Sequence, residues 1–127
     1  MELVKFSITL CVYGKDEPNY LKSALLSIDE QTLSPSQIVI VIDGPVSNKL
    51  ENIINQFSVK NKTRNITVDI IVLKKNMGHG YARMTGILSC KYEFVILVDA
   101  DDINVITRFE QQIKFLFDYP AISVLGG

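Results

Sequence analysis

Phe94-Val95-Ile96-Leu97-Val98-Asp99-Ala100-Asp101-Asp102 is the stretch from which the fold can be read outward. Its first five residues are all large and apolar. Such a run suits a strand covered on both faces, as in parallel sheets. Three carboxylates follow within four residues. Two carboxylates about 5 Å apart repel by roughly 3 kcal/mol at an effective dielectric of 20. A cluster of them at the end of a buried strand needs a reason, and a divalent cation supplies one, because hard oxygen ligands suit Mg²⁺ or Mn²⁺. If the backbone stays extended, Asp99 and Asp101 point to the same side. A metal held there could bind both phosphates of a nucleotide diphosphate and neutralise it as a leaving group. The competing reading is a solvated acidic turn, in which Asp102 favours the N-terminus of the next helix. The buried run directly before the cluster argues against it.

Three similar runs precede this one. Phe6 to Val12 places large apolar residues at every second position. Gln37 to Ile42 is a β-branched run between Pro35 and Gly44-Pro45, and Val68 to Leu73 is another. Helical patterns lie between them. Pro18 suits a first helical position with Asp16 as its cap, and Leu21, Ala24, Leu25 and Ile28 follow at helical spacing. A weaker helix is predicted from Asn48 to Phe57. A third runs from about Gly80 to Cys90 and is predicted to bury Met84, Ile87 and Leu88. A fourth follows Asn104, with Ile106, Phe109, Ile113 and Leu116 on one face. Ala121 to Gly127 reads as a last strand. Strand and helix alternating through the whole chain means βαβ units, hence an α/β fold with a parallel sheet between helices. Ligands of such sheets bind beyond the carboxyl ends of the strands, so the residues after Val12, Ile42, Leu73 and Val98 carry the function.

After the second strand, Asp43-Gly44-Pro45 offers an acid where α/β nucleotide sites often place a group for ribose or base, although the same tripeptide is strong turn chemistry. After the first strand comes Tyr13-Gly14-Lys15-Asp16-Glu17-Pro18. It matches neither G-x-G-x-x-G nor the Walker loop. Tyr13 could stack on a base or simply close a strand end. After the third strand, Gly78 and Gly80 let a loop approach a ligand closely. Arg83, about one helical turn further on, could reach a phosphate or orient an Asp of the cluster. His79 is the only histidine, and a lone loop histidine is more often solvated than liganding.

Composition narrows the classes. A chain of 127 residues is long enough for one domain, and at 47% apolar it can bury a core. Net charge is -1, with no basic run, so nothing marks a nucleic-acid binder. Cys11 and Cys90 have no CxxC partner, and their simplest reading is reduced, buried thiols in a cytoplasmic protein. The start lacks the features of a signal peptide, and no apolar run approaches the roughly 20 residues of a membrane span.

Taken together, the strand-end segments resemble family 2 glycosyltransferases of the GT-A fold. The matching pieces are Ser7 to Tyr13, Ser27-Ile28 with Gln31-Thr32, Ile40 to Pro45, Asn76-Met77-Gly78 with Ala82-Arg83 and Gly86-Ile87, Leu97 to Asp102, and Arg108 to Gln112. The Asp43-Gly44-Pro45 variant is similar to the branch of amylovoran-type exopolysaccharide transferases. The resemblance covers essentially all of residues 1–127 and implies the nucleotide-sugar-binding part of a GT-A domain. It implies that Asp43 bonds uracil or an equivalent base, and that Tyr13 and Glu17 border base and ribose. Asp99 and Asp101 would form the Asp-x-Asp motif around Ala100, binding ribose and the metal-diphosphate, with Asp102 sharing that work. Gly78 would lie near the nucleotide and Arg83 would support the Asp-x-Asp group. The implied cofactor is Mn²⁺ or Mg²⁺. The implied partners are a nucleotide-sugar donor, a UDP-sugar above all, and a saccharide or lipid-linked acceptor. The lipid-linked acceptors common in the family leave open whether the parent protein touches the membrane.

Two departures stand out. Gly14-Lys15 replaces the Asn that many relatives carry after the Tyr, and no second Asp adjoins Asp43. The family's acceptor half, with its general base, has no counterpart here, so no catalytic base is assigned and the chain is expected to be truncated and inactive alone. Two rival readings remain. A phosphoacceptor receiver domain would want acids at the first strand's end, where Tyr13-Gly14-Lys15 stands. A nucleotidyltransferase would want a Gly-rich, basic loop there.

Overall fold

The computed structural model describes residues 4–119 and 121–126. Nine elements alternate: β1 (Phe6–Tyr13), α1 (Pro18–Asp29), β2 (Gln37–Asp43), α2 (Asn48–Thr63), β3 (Thr67–Leu73), α3 (His79–Ser89), β4 (Phe94–Leu97), α4 (Arg108–Asp118) and β5 (Val124–Leu125). All strand pairs are parallel, and the order across the sheet is β3-β2-β1-β4-β5. Period-two alternation splits β1 between two layers. Phe6, Ile8, Leu10 and Val12 join the main core, where α1 contributes Leu21, Leu25 and Ile28, α2 contributes Leu50, Ile54 and Phe57, and α4 contributes Phe109, Ile113 and Leu116. The opposite face is covered by α3 through a smaller cluster of Val39, Val41 and Ala82, with Cys11 and Cys90 against it.

The chain winds outward from β1 to β2 and β3, then returns to place β4 on the other side of β1. That reversal is the switch point at which open α/β sheets bind ligands. It also differs from the receiver order, in which β1 lies between β2 and β3. Strand β4 pairs with β1 only from Phe6 to Thr9, whereas β2 pairs with β1 through to Tyr13. The far half of β1 is therefore unpaired on one edge, and a cleft opens there.

Several local expectations change. Helix α2 runs past Phe57 to Thr63, because a polar seam replaces apolar spacing: Asn61 Nδ2 donates to Asp29 Oδ1 at 2.9 Å, and Lys60 lies 3.2 Å from the same carboxylate. Helix α3 turns Ala82 and Gly86 to the sheet, not Met84 and Leu88, which are 54% and 77% exposed. Close approach selects small residues: a Cβ on Gly86 would lie 2.2 Å from Thr9 Oγ1. Helix α4 starts at Arg108, leaving Ile106 exposed. Asp16 does not cap α1; Glu17 holds that position without a side-chain bond, and Asp16 Oδ2 instead accepts from Tyr13 N at 2.9 Å. Of the last predicted strand, only Val124–Leu125 pairs among the described residues, with Val95 and Ile96 of β4, and Gly127 lies outside them. Both cysteines are free, and half-buried rather than buried. No helix among the described residues is long and apolar enough to cross a membrane.

Candidate functional site

A cleft of about 370 Å³ lies at the switch point. Its floor is Thr9 to Tyr13 of β1, one wall is Leu97 to Asp101, and the rest comes from Asp16, Asp43, Asn76, His79 and Arg83. The carboxylates of three separate strand-end loops thus open into one space.

Asp43 ends β2 and is nearly buried, with Oδ1 accepting from Met77 N at 2.7 Å. It ties the loop after β2 to the loop after β3. Glycines make the approach possible: a Cβ on Gly44 (φ +89°) would sit 2.6 Å from Asn76 N, and one on Gly14 would sit 2.8 Å from Pro45 O. The second contact accounts for a glycine at position 14. Three loops are drawn together at the rim in this way.

Past Val98 the backbone does not stay extended. Asp102 N donates to Asp99 O at 3.3 Å, a turn across Asp99–Asp102. Asp99 and Asp101 nonetheless both line the cleft, with Ala100 buried between them. Asp102 stays outside and exposed. It does not cap α4, whose N-cap is Thr107, so the capping part of the acidic-turn reading does not hold. A hydrogen bond with the Asp99 carboxyl, then desolvation and the charges of Asp99 and Asp101, raise the Asp102 carboxyl above its ordinary range. Arg83 Nη2 lies 3.3 Å from Asp99 Oδ1, both side chains partly exposed. Burial raises the Asp16 carboxyl, helped by the Asp101 charge and opposed by the Tyr13 N–H and by His79. Burial also pushes the Cys11 thiol up to about 11, with Arg83 opposing and Asp43, Asp99 and Asp16 adding to the push.

Of the residues singled out from sequence, Tyr13, Asp43, Arg83, Asp99, Ala100 and Asp101 line the cleft. Glu17, Gly78 and Asp102 are not among its lining residues. Gly78 (φ +98°) is the N-cap of α3, its N–H donating to Asn76 Oδ1 at 3.0 Å. The reading missed Thr9, Cys11, Asp16 and Asn76, and gave His79 no weight. Alternation back from Tyr13 would have found Cys11 and Thr9, which share its face of β1. Asp16 carried no sequence signal beyond that of a helix cap.

The donor set suits a hard cation bound together with a ligand. Among the described residues, no three His, Cys, Asp or Glu side chains form a ready-made metal cage. Mg²⁺-type sites in phosphate chemistry typically use one or two carboxylates and complete the shell with substrate phosphates and water. Asp99 and Asp101 in an open cleft meet that requirement.

Residues 7–127 match the family described as Glycosyl transferase family 2. The chain is 37% identical over 122 residues to the UDP-Gal:alpha-D-GlcNAc-diphosphoundecaprenol beta-1,3-galactosyltransferase of Escherichia coli, covering 96% of this chain and 42% of the relative. It is 34% identical over 121 residues to the amylovoran biosynthesis glycosyltransferase AmsE of Erwinia amylovora, covering 95% and 44%. The chain thus spans less than half the length of these relatives. Residues 1–349 of S. aureus TarS in complex with UDP superpose with a TM-score of 0.71 at 21% identity, over 92% of this chain and 33% of that one. The mannosyltransferase PcManGT of Pyrobaculum calidifontis, in complex with GDP-Man and Mn²⁺, gives 0.73 at 16%, over 91% and 33%. The fold is that of GT-A glycosyltransferases, and neither the receiver nor the nucleotidyltransferase reading finds support. With a family match over nearly its whole length and relatives above 30% identity aligned over at least 95% of this chain, the chain belongs to the family 2 glycosyltransferases.

Proposed function

We propose that this chain binds the nucleoside diphosphate of a nucleotide-sugar donor, a UDP-sugar, in the cleft between the ends of β1 and β4. The parent enzyme would transfer the sugar, with inversion, to a saccharide or lipid-linked acceptor. The observation that carries the reading is the convergence of Asp43, Asp99, Asp101 and Arg83 on one cleft at the switch point. The E. coli relative's name specifies a UDP-sugar donor, and the TarS structure holds UDP.

Each residue then has a distinct task. Asp43, locked by Met77 N, presents its second oxygen to the base edge. Tyr13, 42% exposed at the rim, offers a ring face for stacking. Ala100 borders the nucleotide from the cleft wall, while Glu17 and Gly78, outside the lining, act only through their neighbours Asp16 and Asn76. Asp99, held by Arg83, faces the ribose and the diphosphate. Asp101 and Asp99 would hold Mn²⁺ or Mg²⁺, with Asp102 held beside them by the turn from its N–H to Asp99 O. The cation, when bound, neutralises the charge that develops on the departing diphosphate. None of the described residues is assigned as the base on the acceptor hydroxyl, so the chain alone is expected to bind donor without transferring sugar. The unbridged thiols fit a reducing cytoplasmic setting, at or near the inner face of a membrane where the acceptor is lipid-linked.

Titration calorimetry with UDP, with and without Mn²⁺, tests the reading. Binding should require the metal and fall by roughly tenfold or more in Asp101→Asn, the lower end of what loss of a metal-site partner costs. The melting temperature should hold, because Asp101 is exposed. Metal-independent binding, or no binding, would overturn the assignment.

A further inference from the structure

The acid segment is fastened from beneath by residues that lie outside the cleft. Arg108, the first residue of α4, donates from Nη2 to Leu97 O at 2.7 Å and from Nη1 to Asn104 Oδ1. Leu97 and Asn104 flank Val98–Ile103, so one guanidinium grips both ends of the segment that carries Asp99, Asp101 and Asp102. Its Nε donates to Gln112 Oε1 at 3.2 Å, which fixes the plane of the fork. Asn104 is itself buried and held by α1: its backbone N–H and its Nδ2 both donate to Ser27 Oγ, at 2.9 and 3.0 Å. Gln31 completes the seat by donating to Val105 O at 2.7 Å and accepting from Phe109 N at 2.9 Å.

We propose that Arg108 is a positioning residue for the cation site, setting the separation of Asp99 and Asp101 by clamping the two ends of their loop. The inference rests on the donor-site reading above. A planar fork with several donors can bridge two acceptors, whereas a lysine ammonium on a flexible stem reaches one of them at a time. The charge matters as well. Burial lowers the Arg108 pKa while Asp99 and Asp102 raise it, so the guanidinium senses both carboxylates. Arg83 meets Asp99 from α3, in the cleft itself, where an incoming cation would compete with it. Arg108 works from the α1 and α4 side and need not move when a cation arrives.

The test is Mn²⁺ binding to the 127-residue chain, followed by the electron paramagnetic resonance signal of free Mn²⁺ at saturating UDP. Thermal melts identify a temperature at which each variant is folded. Arg108→Lys keeps the charge and loses the bridge; Arg108→Met loses both; Asn104→Ala removes one end of the bridge and leaves the arginine. Arg108→Lys and Arg108→Met should each weaken Mn²⁺ by roughly 10- to 100-fold, the usual effect of removing an outer partner of a metal site. Asn104→Ala should move in the same direction by less. Should Arg108→Met fail to fold, the lysine and Asn104 variants decide. Lysine binding Mn²⁺ as tightly as arginine would overturn the proposal, since charge alone would then suffice. Failure of the unaltered chain to bind Mn²⁺ with UDP, or an Asp101→Asn chain binding it normally, would instead sink the donor-site reading and this inference with it.

Discussion

Adding one methyl group, Gly86→Ala, tests how α3 sits on the sheet. The new carbon would lie 2.2 Å from Thr9 Oγ1, 3.3 Å from Thr9 Cβ and 3.4 Å from Val41 Cγ2. Non-bonded atoms settle at about 3.5 Å or more, so roughly 1 Å must be found. Thr9 belongs to a central strand, and its backbone O is committed to Val98 N at 3.0 Å, so the helix yields rather than the strand. Overpacking of this kind costs about 1–3 kcal/mol. Alanine returns about 1 kcal/mol of helix propensity relative to glycine. The expected net loss is therefore about 0–2 kcal/mol, accompanied by a lift of α3 that carries Arg83 away from Asp99. Thr9→Ala removes the offending hydroxyl, which has no hydrogen-bond partner. Urea unfolding of the four proteins in the cycle should show a favourable coupling of at least about 1 kcal/mol. UDP affinity with Mn²⁺ should fall in Gly86→Ala and recover in the double variant. A Gly86→Ala chain that gains the full propensity term, with no coupling to Thr9→Ala, would mean that α3 is not seated this closely.

Asp43 should separate a structural role from a binding one. Asp43→Ala strands the Met77 N–H and should cost about 1–3 kcal/mol in a urea melt, whereas Asp43→Asn keeps an acceptor oxygen and should melt near the unaltered chain. Both should lose UDP affinity; an asparagine variant as unstable as the alanine one would show that the charge itself holds the loop. The half-buried thiols predict alkaline sensitivity. Burial raises both Cys11 and Cys90 from 9.0 to about 11 in the folded chain. Below about pH 9 both states keep the protons; between about 9 and 11 the unfolded chain releases protons that the folded one retains, so stability falls as pH rises. Urea midpoints of Cys11→Ser/Cys90→Ser should fall less steeply over that interval, and an unchanged slope would refute the assignment.

The layer architecture was legible because buried parallel strands write their pattern directly: all seven residues of β2 are buried, and the sequence there is β-branched from Ile38 to Ile42. The acid cluster was legible for the same reason, since it interrupts such a run. What periodicity misread was α3, because it assigns burial to large apolar side chains. A helix pressed close to a sheet buries small ones instead, and Ala82 and Gly86 look like nothing in particular until the distance to Thr9 is known. The role of the residues beneath the site was also invisible, although the resemblance marked Ser27, Gln31 and Arg108. Gln31, Asn104 and Arg108 act through bonds that span 11 to 78 positions in sequence, or through turns with no apolar signal.

The position of the cluster follows from the sheet itself. Pairing of β4 with β1 stops at Thr9 and Leu97, which leaves backbone edge, not side-chain core, beside Cys11 and Tyr13. Carboxylates placed there are desolvated only in part, and two arginines flank them, Arg83 toward the cleft and Arg108 beneath it. The acids do not close a cation cage by themselves: no three acidic, thiol or imidazole side chains are gathered to hold a metal among the described residues. The ligands still wanting are oxygens bearing negative charge, arriving where Arg83 and Asp99 meet. On the proposed reading a diphosphate brings them, and so metal and donor are each expected to bind weakly alone and tightly together, by the same factor in either order.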